Sequence, residues 1–128
     1  MVGYSDADVL FHAITDALLG AAALGDIGQM FPDTDPANHG RDSAEMLAAA
    51  RDAVVAVGFR VINIDCVVFA QRPKLLPYRQ SIRERIAEIL QIDPERVGLK
   101  GKTGEGVGPI GQEEAISAEC VALLGRST

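Results

Sequence analysis

Residues 5–36 of the chain read SDADVLFHAITDALLGAAALGDIGQMFPDTDP, and this segment decides both the fold and the candidate site. In its first half Asp8, His12 and Asp16 recur every four residues, a spacing that places them on one face of a helix. Apolar residues cover another face of the same helix: Val9, Ile14, Leu18 and Ala21. The pattern predicts an amphipathic helix that begins near Ser5 or Asp6 and ends at Gly20 or Gly25.

Composition limits the size, compartment and partners of the protein. With 128 residues, 48% of them hydrophobic, the chain can bury one ordinary core, which predicts a single domain over residues 1–128. A net charge of -6 argues against a nucleic-acid surface. Cys66 and Cys120 lie in apolar segments, which favours reduced thiols. Without an apolar run of ~18 residues or a signal-peptide pattern, we expect a soluble, cytoplasmic protein with no membrane partner.

Two further helices are predicted downstream. Residues 26–42 are rich in proline, glycine and acids and predict a loop without regular structure. A second helix follows Ser43 and stops at Gly58, with Met46, Leu47, Ala50, Val54 and Val57 on its apolar side. A third is marked by Tyr78, Ile82, Ile86, Ile89 and Leu90. Between that helix and the next strand, Asp93-Pro94-Glu95 predicts a capped single turn.

Three strands complete the predicted architecture. Residues 60–70 are nearly continuously apolar, which is typical of a strand buried on both faces. Residues 97–102 predict a short strand, and residues 115–124 predict a last one, although their alanines and leucines would also suit a helix. The fold class is therefore α+β: an α/β sandwich with a small mixed sheet and three helices on one face.

His12 allows two interpretations. Neutral imidazole is a common zinc ligand, and the neighbouring acids could orient its second nitrogen. A partly exposed helix histidine that contacts Asp8 or Asp16 is the more frequent arrangement, and from these residues alone it is favoured.

The acid-rich turn after the helix also allows two interpretations. Carboxylates such as Asp26 and Asp33 accept hydrogen bonds from a polyol, and Gly28 lets the backbone approach a ligand. Alternatively, Asp33 and Asp35 only form Asx turns, which is about equally well supported by the residues.

Two later segments resemble ligand loops. Residues 70–76, AQRPKLL, present backbone groups where a strand meets a proline-bounded turn, which suits nucleobase recognition but is equally an ordinary connection. Residues 101–109, GKTGEGVGP, contain G-K-T, but Arg96 stands where a P-loop needs its first glycine. The run is thus a ligand loop of another kind or a flexible turn.

These motifs together, in this order and over nearly the whole chain from Gly3 to Leu124, resemble the 2-C-methyl-D-erythritol 2,4-cyclodiphosphate synthase family of non-mevalonate isoprene biosynthesis. The resemblance implies a phosphorus-oxygen lyase that cyclises 4-diphosphocytidyl-2-C-methyl-D-erythritol 2-phosphate and releases CMP. It also implies a homotrimer whose neighbouring subunits share each pocket, and a cytidine-diphosphate-linked small-molecule substrate.

The resemblance implies two metal positions. His12 matches one of three ligands of a zinc ion, and Glu105 matches a ligand of a magnesium or manganese ion. The family's other two zinc ligands form an Asp-x-His motif that this sequence does not contain. We therefore expect either a preceding strand that supplies it or a variant that has lost this metal. In the second case the chain would be a catalytically impaired relative that binds cytidine nucleotides or acts as a structural trimer subunit.

The remaining site residues are also carried over from the resemblance. Catalytic positions are Ser5, Asp33, Lys102 and Thr103. Substrate-binding positions are Tyr4, Asp26, Gly28, Asp33, Ala70, Pro73, Lys74, Leu75, Leu76 and Thr103. Tyr4 replaces the histidine usual in the family, and Lys102 replaces a frequent threonine. Gln112 and Glu119 match an arginine and a glutamate around the trimer's central cavity, and the loss of the arginine fork predicts a weak or absent isoprenoid-diphosphate site there.

Overall fold

A computed structural model describes residues 4–38, 40–70, 76–102 and 117–127. The α-helices are α1 (Tyr4–Ala21), α2 (Ile27–Met30), α3 (Ser43–Ala56) and α4 (Arg79–Leu90). The strands are β1 (Phe59–Phe69), β2 (Val97–Lys102) and β3 (Ser117–Arg126). Short 3-10 turns cover Pro36–Asn38, Leu76–Tyr78 and Pro94–Arg96.

The three strands form one mixed sheet in the order β2-β1-β3. β1 runs parallel to β2, with Ile64 opposite Val97. It runs antiparallel to β3, with Cys66 directly opposite Cys120. β1 is therefore the central strand, and the predicted small mixed sheet is confirmed.

The core lies between one face of this sheet and the three long helices. β1 contributes buried side chains at Val61, Ile64, Cys66 and Val68. The helices contribute Leu10, Ile14, Leu18 and Leu19 from α1, Leu47, Ala50 and Val54 from α3, and Ile86, Ala87, Ile89 and Leu90 from α4. All of these residues belong to one hydrophobic cluster, which confirms the prediction that the helices pack on one side of the sheet.

The prediction that β1 is buried on both faces is wrong for this chain. Burial alternates along the strand, and Asp65 points to the open face, where it is exposed. On the same face of β3, Val121 is 72% exposed and Leu123 is 58% exposed. The helices cover only one side of the three described strands, so the apolar residues of the other side remain in contact with solvent in the single chain.

The helix boundaries follow the sequence signals closely. α1 begins at Tyr4, just before the predicted start, and ends at Ala21. Ala21 was predicted to lie on the apolar face, but it is exposed. α3 is capped by Asp42, whose Oδ1 accepts from the Ala44 amide at 2.9 Å. Gly58 has φ +94 and follows the end of α3, as predicted. Val57, expected on the apolar side, is 47% exposed.

Residues 26–42 contain more regular structure than the sequence indicated. α2 forms because Asp26 caps it, accepting at Oδ1 from the Gln29 amide at 2.8 Å. A 3-10 turn then starts at Pro36, whose fixed φ suits a first helical position. The prolines and acids therefore start short turns here, and the prediction of a loop without regular structure is wrong.

The last strands match their predictions with small shifts. The turn at residues 93–96 is capped by Asp93, which accepts from the Glu95 amide at 2.9 Å, and β2 follows at Val97 as expected. β3 is a strand, as predicted, and not a helix. It extends to Arg126, two residues beyond the predicted end at residue 124. The first two residues of the predicted strand lie outside the described residues. Across the described ranges, every helix is too short or too polar to cross a bilayer.

Candidate functional site

The polar face of α1 carries the candidate metal ligand. His12 is exposed on this face, one helical turn from Asp8 and one turn from Asp16. Within the described ranges, its imidazole makes no hydrogen bond or ion pair. The side chain is thus exposed and not engaged by another described group, as a ligand position requires.

Asp8 anchors α1 to the start of α3. Its Oδ1 accepts from the Ser43 hydroxyl at 2.5 Å, and Ser43 is only 5% exposed. Asp42 caps α3 one residue earlier, so Asp8 adds a second carboxylate at the positive end of that helix. The sequence placed Asp8 on the correct face but gave no signal for a partner 35 residues away.

Asp16 anchors the loop after α1 in the same way. Its Oδ1 accepts from the backbone amide of Ile27 at 2.7 Å. The described bonds of both flanking carboxylates therefore go to other elements, and neither is made with His12. Among the described residues, His12 therefore makes no hydrogen bond with Asp8 or Asp16.

Asp26 and Gly28 follow in the loop that Asp16 holds. Asp26 is exposed and uses Oδ1 to cap α2. Gly25, just before it, has φ +95, a conformation that glycine adopts without strain. His12 and Asp26 thus belong to two segments that are joined through the Asp16 carboxylate.

The acidic turn that contains Asp33 and Asp35 follows a buried aromatic residue, Phe31. Phe31 is 6% exposed, and the Arg41 guanidinium lies 4.7 Å from its ring centroid. Asp35 makes the predicted Asx turn by accepting from the Ala37 amide at 3.0 Å. Asp33 is exposed two residues after this buried anchor.

The ends of β1 and β2 bring together two of the predicted ligand segments. The amide of Ala70 donates to the carbonyl of Lys102 at 2.9 Å, so the start of residues 70–76 lies beside the start of the glycine-rich run. Ala70 is 7% exposed, whereas the Lys102 side chain is exposed. Two segments 32 positions apart in sequence therefore leave the sheet at the same edge.

Several predicted site residues lie outside the described residues: Pro73, Lys74, Leu75, Thr103, Glu105 and Gln112. Tyr4 and Ser5 lie in the first turn of α1, and Leu76 lies in a 3-10 turn, but their side chains are not described. Glu119 is exposed on the open face of the sheet, opposite Val67.

The described residues divide the candidate site into a helix half and a strand-end half. The helix half contains His12, Asp26 and Asp33, and the strand-end half contains Ala70 and Lys102. Within the described ranges, no three His, Cys, Asp or Glu side chains converge as a metal site. His12 therefore fits a divalent ion as one ligand of a shared set, and the described residues do not complete that set.

A cavity of about 500 Å³ lies between the first turn of α4 and β2. Of the predicted site residues whose side chains the structure describes, none lines it. Arg83 crosses its wall and donates to the carbonyls of Val97 at 2.7 Å and Pro94 at 2.9 Å. The cavity is therefore braced by the protein's own hydrogen bonds.

Both cysteines are free thiols, as predicted, and they face each other across β1 and β3. The pKa of the Cys66 thiol is raised above its ordinary value. The hydrogen bond with Cys120 is the larger cause and burial is the second. Cys66 thus stays protonated at neutral pH and belongs to the core, not to the site.

Comparisons with known proteins show which family the chain belongs to. The model of the YgbB family matches residues 1–125. A 2-C-methyl-D-erythritol 2,4-cyclodiphosphate synthase from Solibacter usitatus is 52% identical, over 95% of this chain and 77% of the relative. One of the same name from a Nostoc species is 50% identical, over 97% of this chain and 75% of the relative.

Solved structures show the same fold. The bifunctional IspDF from Campylobacter jejuni superposes with a TM-score of 0.87 and 43% identity, over 92% of this chain and 32% of that one. The CDP complex of IspF from Plasmodium falciparum superposes with a TM-score of 0.83 and 34% identity, over 94% of this chain and 72% of that one. By family match, sequence identity and fold together, the chain belongs to the YgbB family.

Proposed function

We propose that the chain cyclises 4-diphosphocytidyl-2-C-methyl-D-erythritol 2-phosphate to 2-C-methyl-D-erythritol 2,4-cyclodiphosphate and releases CMP, a step of isoprenoid precursor biosynthesis. The observation that carries this proposal is the identity of 50–52% over at least 95% of the chain with relatives that bear this name. We further propose that residues 1–128 act as one synthase-like domain in the cytoplasm.

The reaction needs alignment more than covalent help from the protein. An oxygen of the 2-phosphate attacks the β-phosphorus of the same molecule, and the bond from that phosphorus to the bridging oxygen breaks, so the electron pair leaves with CMP. Holding both groups in line converts the chemistry into a well-oriented intramolecular step.

The helix half is proposed to hold the methylerythritol part of the substrate. Asp26 keeps Oδ2 for a ligand because Oδ1 caps α2, and a carboxylate accepts well from hydroxyls. Asp33 is exposed on a turn anchored by buried Phe31. Gly28 is exposed and has no side chain to keep a substrate away from the backbone. Ser5 and Tyr4, in the first turn of α1, complete this half.

The strand-end half is proposed to hold the cytidine diphosphate part. Its residues are Ala70, Pro73, Lys74, Leu75, Leu76, Lys102 and Thr103. The bond from Ala70 to the Lys102 carbonyl supports this grouping because it places both segments at one edge of the sheet. Lys102 would approach a phosphate as a point charge. Structures of relatives in complex with CDP agree with a ligand of this class.

The family is in general dependent on divalent metal ions. We propose His12 as one zinc ligand and Glu105 as a ligand of magnesium or manganese. A bound divalent ion supplies Lewis-acid polarisation of the phosphoryl oxygens. The chain's own contribution is to keep the His12 ring exposed by engaging both flanking carboxylates elsewhere.

Self-association as a homotrimer is part of the proposal. The open face of β1 and β3 exposes Val121 and Leu123 in the single chain. A neighbouring subunit could supply the second half of each pocket while it covers this face.

The proposal is tested by steady-state CMP release in the wild type and in matched variants. Asp26→Ala should raise KM about 10–100-fold, because a hydrogen bond to a charged group contributes about 1.5–3 kcal/mol. His12→Gln and chelation should each remove most turnover. Asp52→Ala, an exposed carboxylate on α3 that bonds only to Arg51 among the described residues, should leave kcat and KM unchanged.

One result would redirect the proposal. If the wild type binds CDP but releases no CMP at any divalent-ion concentration, the chain is the catalytically impaired relative that binds cytidine nucleotides. If it binds neither CDP nor substrate, both enzymatic and nucleotide-binding interpretations fail.

A further inference from the structure

Asp16 makes a contact that the proposed reaction does not use directly. It lies one turn after His12 on the exposed face of α1, and its Oδ1 accepts from the Ile27 amide at 2.7 Å. This bond spans 11 residues and closes the loop that carries Asp26 back onto the helix. It is therefore a direct link between the helix with the proposed metal ligand and the loop with the proposed hydroxyl-binding carboxylate.

The loop is held at its ends as well: the Leu24 amide donates to the Leu19 carbonyl at 2.8 Å, and Leu24 and Met30 pack against the core cluster. Ile27 is the first residue of a four-residue helix, so its amide has no acceptor within that helix. Gly25 at φ +95 gives the chain a bend whose direction is not restricted by a side chain. Because Asp26 caps Gln29 locally, its own bond orders α2 but does not tie α2 to α1. Among the described hydrogen bonds, the Asp16 bond is the one that joins the α2 segment to a side chain of α1.

From this geometry we infer that Asp16 is a positioning residue, which holds the Asp26 loop at a fixed separation from His12 so that one substrate can reach both. The inference rests on the proposed function for its consequence, since a polyol phosphate must meet the carboxylate and the metal ligand together. Displacement of a substrate-binding group by about 1 Å can lower the rate about 10²-fold. A carbonyl oxygen at the same place accepts the same hydrogen bond, so the role needs an acceptor and not a charge.

Two substitutions separate this role from others. Asp16→Ala removes the acceptor and should lower kcat/KM about 10–100-fold, with both kcat and KM affected because the loop no longer aligns the substrate. Asp16→Asn keeps an oxygen that can accept from Ile27 and should remain within about fivefold of the wild type. Asp52→Ala and Asp52→Asn serve as matched controls on an exposed carboxylate of another helix, and both should be unchanged.

A measurement that needs no turnover follows the bond itself. Hydrogen exchange of the Ile27 amide, observed by nuclear magnetic resonance, should be slow in the wild type and in Asp16→Asn. In Asp16→Ala it should accelerate at least about tenfold while amides of the sheet, such as that of Ile64, keep their rates. This result would hold even for a chain that does not cyclise the substrate, so it separates the positioning role from the proposed function.

Three results would overturn the inference. Equal loss of kcat/KM in Asp16→Asn and Asp16→Ala would show that the charge matters and the acceptor does not. Unchanged Ile27 exchange in Asp16→Ala would show that the bond does not hold the loop. Accelerated exchange with wild-type kcat and KM would show that the loop position is irrelevant to the reaction.

Discussion

The bond between Ser43 and Asp8 predicts a measurable coupling between α3 and α1. The Ser43 hydroxyl donates to Asp8 Oδ1 at 2.5 Å, Ser43 is 5% exposed, and Asp8 is half-buried. A buried hydrogen bond to a charged group contributes about 1.5–3 kcal/mol. Because water still reaches the carboxylate, we expect Ser43→Ala to lower the free energy of unfolding by about 1–2 kcal/mol.

Asp8→Ala should lose more than the hydrogen bond alone. It also removes a negative charge from the N-terminus of α3, which adds about 0.3–1 kcal/mol. The double variant isolates the shared part, and we expect a coupling free energy of about 1–2 kcal/mol between the two positions.

Urea unfolding at one fixed protein concentration measures all four species, since self-association would make the apparent stability depend on concentration. With m of about 1–3 kcal/mol per molar, the Ser43→Ala midpoint should fall by about 0.5–1.5 M. Ser81→Ala, an exposed serine of α4, is the matched control and should stay within about 0.5 kcal/mol of the wild type. A coupling below about 0.5 kcal/mol would refute the reasoning.

Further predictions concern backbone conformation and ionisation. Gly25→Ala forces a side chain onto φ +95 and brings its Cβ into the Gln29 side chain, so even after Gln29 moves we expect a loss of about 1–2 kcal/mol in urea unfolding; unchanged stability would contradict this. Gln91→Gly relieves φ 58 at the end of α4 and should stabilise by about 0.5–1 kcal/mol in the same assay, whereas a loss would contradict it. The raised pKa of Cys66 means that the unfolded chain releases this proton first as the pH rises. Stability should therefore fall above about pH 9, by up to about 1.4 kcal/mol per pH unit, and less steeply in Cys66→Ala; equal slopes would disprove the shift.

The sequence predicts elements better than it predicts what covers them. β1 was expected over residues 60–70 and is found at Phe59–Phe69, because branched apolar residues favour a pleated strand wherever it lies. The prediction that β1 is buried on its second face was wrong. An apolar residue such as Val67 gives the same sequence pattern whether a helix of the same chain covers it or it contacts solvent. Whether a face of the sheet is covered depends on how many layers of helices pack against the sheet. The sequence pattern of one strand does not indicate that number.

For the candidate site, the sequence predicted which residues share a helix face but not their hydrogen-bond partners. The four-residue spacing placed Asp8, His12 and Asp16 on one polar face, because that follows from helix geometry alone. The partners of the two carboxylates, Ser43 and the Ile27 amide, were missed. These contacts depend on how α3 and the following loop pack against α1, and the only local signal was the short acid-rich turn itself.

The most direct test of the whole account is the identity of the product. The purified chain is incubated with 4-diphosphocytidyl-2-C-methyl-D-erythritol 2-phosphate, zinc and magnesium, and the mixture is followed by phosphorus nuclear magnetic resonance. We predict that the monophosphate resonance of the substrate disappears while two mutually coupled resonances of a cyclic diphosphate and an equal amount of CMP appear. A spectrum that stays unchanged at stoichiometric enzyme, or CMP accompanied by a linear hydrolysis product, would contradict the account.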